Sequence, residues 1–372
     1  MLPPNAETLR AAFEVERPPT VGIEEELMLL DPETHDLLPR GTEVLDRVAG
    51  DPRFKQEMPA AQVEIAAPPA ASVPEAAALL RAARRELAAA AEGIGVLAGA
   101  GVHPFAHGDG ALNAGARYEA IAEEFGAVAR RQLVFGLHVH VAIAGADRAL
   151  AAYNALREHL PALAALGAAS PFYEGADMGL ASVRPKICDL LPRQGVPPAI
   201  GSWEEHADAF GWGLASGRFA DPAQWWFEAR LHPLHGTVEV RVPDAQSTVE
   251  DTVAIAAVVH ALVVSLAERH DAGELPPPAP GWRIGENRWS ACRHGVEGTW
   301  CDVRTGATRP MREHLEAWVD ELQPVARRLG CAAELAHARD LIARPRARMA
   351  REVAGEAGVE GLARWLAARF LG

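Results

Sequence analysis

The strongest constraint on the fold is a run of three glutamates set between apolar residues, "TVGIEEELMLLD" (Thr20–Asp31). An unpaired carboxylate inside a folded chain is expensive, so each of the three must find a partner. The flanking residues read as a β-strand, in which successive side chains point to opposite faces. Glu24 and Glu26 then share one face, while Glu25 points the other way with Ile23 and Leu27 and is not expected to bind anything in a cavity. Two adjacent carboxylates on one face repel each other, and a bound Mg²⁺ or Mn²⁺, both of which prefer carboxylate oxygens, would relieve that repulsion.

Three further strand-like segments have the same form. "AAQVEIA" offers Gln62 and Glu64 on one face. "FGLHVHVAI" offers His138 and His140, with Leu137, Val139 and Val141 opposite. "GTVEVRVPD" offers Glu239 and Arg241, with Val238, Val240 and Val242 opposite. One such pair is commonly an ordinary surface feature, but four in one chain describe a sheet with one face packed on helices and the other lining a charged cavity. Between them lie a helix beginning at "VPEAAALL", helical periodicity over about 116–131 and 147–166, and an apolar helix around "TVAIAAVVHALVVSLAE". Residues 170–202 are rich in glycine and proline and have no period. The strands do not alternate regularly with helices, and no internal repeat occurs. The expected class is α+β, a curved, largely antiparallel sheet with helices packed on one face and an open active-site face. Residues 1–19 read as an N-terminal extension and 20–372 as a single domain.

Charge narrows the function. The 372 residues carry 50 acidic against 36 basic groups, a net charge of −14, which argues against nucleic acid or an anionic membrane as partner. Only two residues, Lys55 and Lys186, are lysines. Neither G-x-x-x-x-G-K-[ST] nor G-x-G-x-x-G occurs, so no P-loop or kinase glycine loop cradles a phosphate. The four cysteines, Cys188, Cys292, Cys301 and Cys331, form no C-x-x-C pair. With no signal-peptide pattern at the start, they point to a reducing, cytoplasmic setting. Carboxylates interspersed with arginines suit polyphosphate held through divalent metal, with guanidinium groups neutralising the transferred phosphoryl.

In this order along the chain, G-x-E-x-E, Q-x-E, G-L-H-V-H-V and V-E-V-R-x-P-D resemble the carboxylate–amine ligases of the glutamine synthetase superfamily. Among these, the resemblance is to the bacterial type 2 glutamate–cysteine ligase family. "GVHPFA", "RYEAI", "LPRQGVPPAIGSW" and "ENRWSACRHGVEG" look like further landmarks, so the resemblance spans about Thr20 to Gly298. It implies a glutamine-synthetase-like catalytic domain that uses ATP to activate a carboxylate as an acyl-phosphate, which an amine then converts to an amide. Glutamate–cysteine ligase activity is the leading expectation. The alternatives are a ligase for another amino acid or small carboxylate, and a non-catalytic metal- or nucleotide-binding relative. Carried over by motif, Glu24, Glu26, Glu64, His138 and Glu239 would be metal ligands, with Glu57 a looser candidate. Glu239 and Arg241 would be catalytic, Arg241 at the γ-phosphate or the substrate carboxylate. His140, Arg230, Asn287, Arg288 and Arg293 would lie by the nucleotide or substrate. Residues 170–202 are placed to shelter an acyl-phosphate, with Arg184 reaching in towards substrate, although an ordered surface loop accounts for them equally well. The implied partners are ATP, Mg²⁺ or Mn²⁺ and small amino acids. The resemblance also allows a homodimer.

Overall fold

The computed structural model describes residues 4–219 and 224–372. Eleven strands are present among them: β1 (Val21–Leu30), β2 (Phe54–Gln56), β3 (Gln62–Ala66), β4 (Val96–Ala98), β5 (Leu137–Ala142), β6 (Phe172–Tyr173), β7 (Ala176–Asp177), β8 (Ala229–His232), β9 (Thr237–Val240), β10 (Thr299–Cys301) and β11 (Thr308–Pro310). β6–β7 and β10–β11 are separate hairpins. The other seven form one open sheet in the order β2-β3-β1-β5-β9-β8, with β4 on the far end of β1. Every strand pairing in that sheet is antiparallel.

The sheet is two-faced, as the alternation requires. Ile23, Leu27, Val63, Ile65, Leu137, Val139, Val141, Val238 and Val240 all enter one hydrophobic core. Helices Val73–Ala91, Ala146–Leu156 and Val249–Asp271 pack on this face. The last is long and apolar enough to cross a membrane, yet 89% of its most apolar window is buried here, as the central helix of the core. Glu25 also lies on the apolar face, fully buried. Its oxygens accept from Arg84 Nε and Nη2 at 2.8 and 2.7 Å and from Thr252 Oγ1 at 2.6 Å. Arg84 comes from helix Val73–Ala91 and Thr252 from helix Val249–Asp271, so the third glutamate is the polar bolt between sheet and helices.

Several boundaries depart from the sequence reading. The edge strand β2 is additional, being too short to show a period. Helical residues 116–131 divide into Ala116–Phe125 and Ala127–Arg130 at Gly126, whose φ of +58° suits glycine. Residues 147–166 likewise divide into Ala146–Leu156 and Leu160–Gly167, and "ENRWSACRH" belongs to a regular helix, Gly281–His294. The N-terminal stretch packs on the domain where it is described. Leu9 and Phe13 enter the main core, and the Phe13 carbonyl accepts from Gly145 N at 2.7 Å.

Candidate active site

The open face of the sheet collects the polar halves of the four strands. Register sets Glu24 opposite His138 and Gly22 opposite His140 across β1 and β5. Glu26 lies opposite Glu64 across β1 and β3, and His140 opposite Glu239 across β5 and β9. Glu239 in turn faces Arg230 across β9 and β8. Residues far apart in the sequence thus become neighbours on adjacent strands.

Ligand atoms of Glu24, His138 and Glu239 all lie within 4.8 Å of one another. His140 joins them, its Nε2 at 3.6 Å from Glu24 and 3.9 Å from Glu239. Glu26 stands beside this group, with Oε1 at 3.7 Å from His138 Nε2, while its other oxygen accepts from the Gly136 amide. The Glu64 carboxylate meets Lys55 Nζ at 3.1 Å, and the same ammonium reaches Glu24 at 3.2 Å. Arg230 takes one oxygen of Glu239 and Arg241 the other.

The electrostatics are those of an overcrowded acidic site. Burial pushes the Glu64 carboxyl well above the usual range, reinforced by Glu24 and Glu57. Burial and the Glu26 charge raise Glu57, and burial raises Glu26 despite Arg184 and Arg241. Glu239 goes the other way: burial opposes its ionisation, but the charges of Arg230 and its neighbours hold it well below the carboxylate range. Burial, with Arg241 alongside, lowers His138 to about 4, so its ring is neutral at pH 7, and Arg241 Nη1 stands 3.4 Å from its Nδ1. The Nε2 atoms of His138 and His140 are buried without a hydrogen-bond partner among the described residues. Crowded carboxylates beside two imidazole rings fit a divalent cation: the carboxylate oxygens are the donors Mg²⁺ and Mn²⁺ prefer, and the imidazole nitrogens are the softer part of the set. Ion pairing to Arg230 and Arg241 leaves Glu239 further lone pairs for such an ion.

Two cavities flank the cluster. One, lined by Glu26, holds Arg117, Arg184, Arg241 and Arg288 together with Glu57 and Glu228. The other, lined by Glu24, Lys55 and His140, sets Arg17 and Arg53 at walls of Ile23, Ala66, Pro68 and Leu234.

The chain belongs to glutamate–cysteine ligase family 2. The family's model matches residues 20–359. A Rubrobacter xylanophilus protein named "Putative glutamate--cysteine ligase 2-3" is 41% identical over 334 residues, covering 88% of this chain and 90% of its own. A Corynebacterium jeikeium protein named "Putative glutamate--cysteine ligase 2" is 38% identical over 331 residues, covering 88% of this chain and 84% of its own. Among solved structures, the glutamate–cysteine ligase of Francisella tularensis, in complex with AMP, superposes with a TM-score of 0.70 at 12% identity over 97% of this chain and 90% of its own. A bifunctional glutathione synthetase from Pasteurella multocida gives 0.68 at 13% identity, over 98% of this chain and 53% of its own. At such identities the likeness is one of fold, and the shared fold is the α+β ligase sheet described above.

Within this family fold, the residues singled out from sequence divide into three groups. Glu24, Glu26, Glu64, His138, His140, Arg230, Glu239 and Arg241 converge on the open face. Arg184 and Arg288 line the arginine cavity beside it. Two do not join. Asn287 is buried behind the cavity, where its amide donates to Cys301 O at 2.7 Å and accepts from Cys301 N at 2.9 Å, clasping the β10–β11 hairpin. Arg293 is exposed and lies against the turn at Asp177 and Gly179. Helix Gly281–His294 turns about 100° per residue, so neighbours in "ENRWSACR" cannot all face one cavity, and only Arg288 does.

The irregular 170–202 segment is a packed wall. Ala181 N donates to Cys292 O at 2.8 Å, and Ser182 Oγ to Asp244 at 2.9 Å. From it Arg184 reaches in, donating to the Val242 and Arg241 carbonyls at 3.2 Å each. A Cβ at Gly136 would lie 2.2 Å from Arg184 Nη2, so a side chain there would displace that guanidinium. Sequence reasoning missed Lys55, Arg117 and Glu228. Lys55 was detectable as one of two lysines, Arg117 lay inside the landmark "RYEAI", and Glu228 precedes Arg230 at the same i, i+2 spacing as the other pairs.

Proposed function

We propose that this chain is an ATP-dependent carboxylate–amine ligase, with an α-amino dicarboxylate such as glutamate as the activated acid and an amino acid such as cysteine as the amine. The reading rests on one conjunction: a cation-binding cluster of carboxylates and histidines between an arginine-rich cavity and a more apolar one, in a chain of glutamate–cysteine ligase family 2. Residues 20–372 would act as one catalytic unit. The apolar cavity is the roomier, about 520 Å³ against about 150 Å³. It suits the base and sugar of the nucleotide, and the arginine cavity suits the acid.

In this scheme the γ-phosphoryl group of ATP lies over Glu24, His138 and Glu239. A divalent cation held there would offset phosphate charge. Attack of a carboxylate on phosphorus brings two anions together. Arg241 stands at the junction of the cluster and the arginine cavity, and its guanidinium is placed to neutralise charge that spreads over the transferring oxygens. Arg230 holds Glu239 from the other side and keeps it ionised. The acyl-phosphate formed with ADP would hydrolyse if wetted. The walls from 170–202 and helix Gly281–His294 keep water from it while the amine displaces phosphate.

The deciding experiment supplies L-glutamate labelled with oxygen-18 in its carboxylates, together with cysteine, ATP and Mg²⁺. The label is expected in the released phosphate, with ADP as the nucleotide product. AMP as product, or unlabelled phosphate, would refute the scheme.

A further inference from the structure

Glu228 and Arg184 are two buried groups of opposite charge in the wall of the arginine cavity, and each has one polar atom left over. The Glu228 residue is only 8% exposed. Its Oε1 accepts from Arg288 Nε at 2.6 Å. Its Oε2 has no hydrogen-bond partner among the described residues. Arg184, also 8% exposed, spends both terminal nitrogens on backbone carbonyls, and its Nε is likewise unpartnered. A buried acceptor and a buried donor left unsatisfied in one cavity each cost free energy. A ligand carrying an ammonium and a carboxylate a few ångströms apart would satisfy both.

Resting on the ligase reading, we infer that Glu228 binds the α-ammonium of the acid substrate, with Arg184 taking its α-carboxylate, so that this pair selects an α-amino acid as the group to be activated. Backbone geometry supports the placement. The Arg241 amide donates to the Glu228 carbonyl at 2.8 Å, so Glu228 sits beside Arg241, two residues along from the Arg230–Glu239 pair. Strand alternation then turns Glu228, two residues before Arg230, to the open face. The amine substrate is the poorer occupant for Glu228, because it must lose its proton to attack, and a facing carboxylate favours the protonated form. Arg288 positions Glu228 and is itself held by Asp189 at 2.8 and 3.0 Å. Removing the Glu228 charge therefore leaves that guanidinium paired.

The test compares L-glutamate with glutarate, the same diacid without the amino group, in wild type and Glu228→Gln. Two readouts are used: KM in the ATP-dependent reaction with cysteine, and calorimetric binding without turnover. Wild type should favour glutamate. In the variant, KM and Kd for glutamate should rise about tenfold to a hundredfold, the loss of one charged hydrogen bond. Glutarate should be little changed, and KM for ATP should hold. The preference for the amino acid therefore collapses. If Glu228→Gln weakens both diacids equally, or keeps the preference, or if wild type binds glutarate as well as glutamate, the assignment is wrong. Calorimetric discrimination without amide formation would uphold the clamp and overturn the ligase reading instead. Should Glu228→Gln fold poorly, Glu228→Asp keeps the charge and the Arg288 pairing but draws the carboxylate back, and the preference for glutamate should fall part-way. An unchanged preference in that variant would also overturn it.

Discussion

Glu25 and Arg84 offer a quantitative test of how the sheet is bolted to its helices. Both side chains are fully buried. Breaking such a pair by removing one member costs about 3–5 kcal/mol, because a charge is left uncompensated. The structure ranks the two halves. Without the Glu25 charge, Arg84 still donates to the carbonyls of Gln246, Ser247 and Phe370 at 3.0, 3.2 and 2.8 Å. Without Arg84, Glu25 retains only the Thr252 hydroxyl among the described residues. Glu25→Gln should therefore cost about 3 kcal/mol and Arg84→Met about 5 kcal/mol, against a typical total of about 5–15. The double variant Glu25→Met with Arg84→Met should be more stable than Arg84→Met alone, since no buried charge remains. Equilibrium urea unfolding followed by tryptophan fluorescence measures all three. A cost below about 1 kcal/mol for either single variant, or Glu25→Gln worse than Arg84→Met, would refute the argument.

Glu239→Gln should lower divalent-cation-dependent ATP turnover by about a hundredfold or more with an unchanged far-ultraviolet circular dichroism spectrum, and full activity would remove Glu239 from the site. Arg241→Lys keeps the charge but loses the planar fork, so kcat should fall far more than KM for ATP rises; equal effects on both would make Arg241 a simple binding residue. Burial lowers His206 to about 4 against 6.5 in the unfolded chain. The unfolded chain then takes up the proton first as pH falls, and about 3 kcal/mol of stability present above pH 6.5 is lost by pH 4. His206→Phe should flatten the stability curve across that window, which denaturation at a series of pH values would show; an unchanged slope would mean that His206 titrates normally.

The faces of the strands were legible from sequence, because a strand alternates with a fixed period of two. That period alone separates Glu24 and Glu26 from Glu25, pairs His138 with His140, and predicts one apolar and one polar face for the sheet. The carboxylates and imidazoles of the polar face followed from the same spacing, and the ordered motifs pointed to the family. The sequence could not reveal which strand lies next to which. The placement of Glu239 beside His140, or of Glu64 opposite Glu26, comes from cross-strand hydrogen bonding and from burying the valine and isoleucine faces against helices Val73–Ala91 and Val249–Asp271. Nor could it name the counter-charges, since Arg84 meets Glu25 across 59 residues and Arg288 meets Glu228 across 60. Nor could it separate Asn287 and Arg293 from Arg288. They share a motif with Arg288, but a helix distributes its side chains around an axis, and only the packing of that helix against the rest of the chain decides which of them turns inward to the cavity.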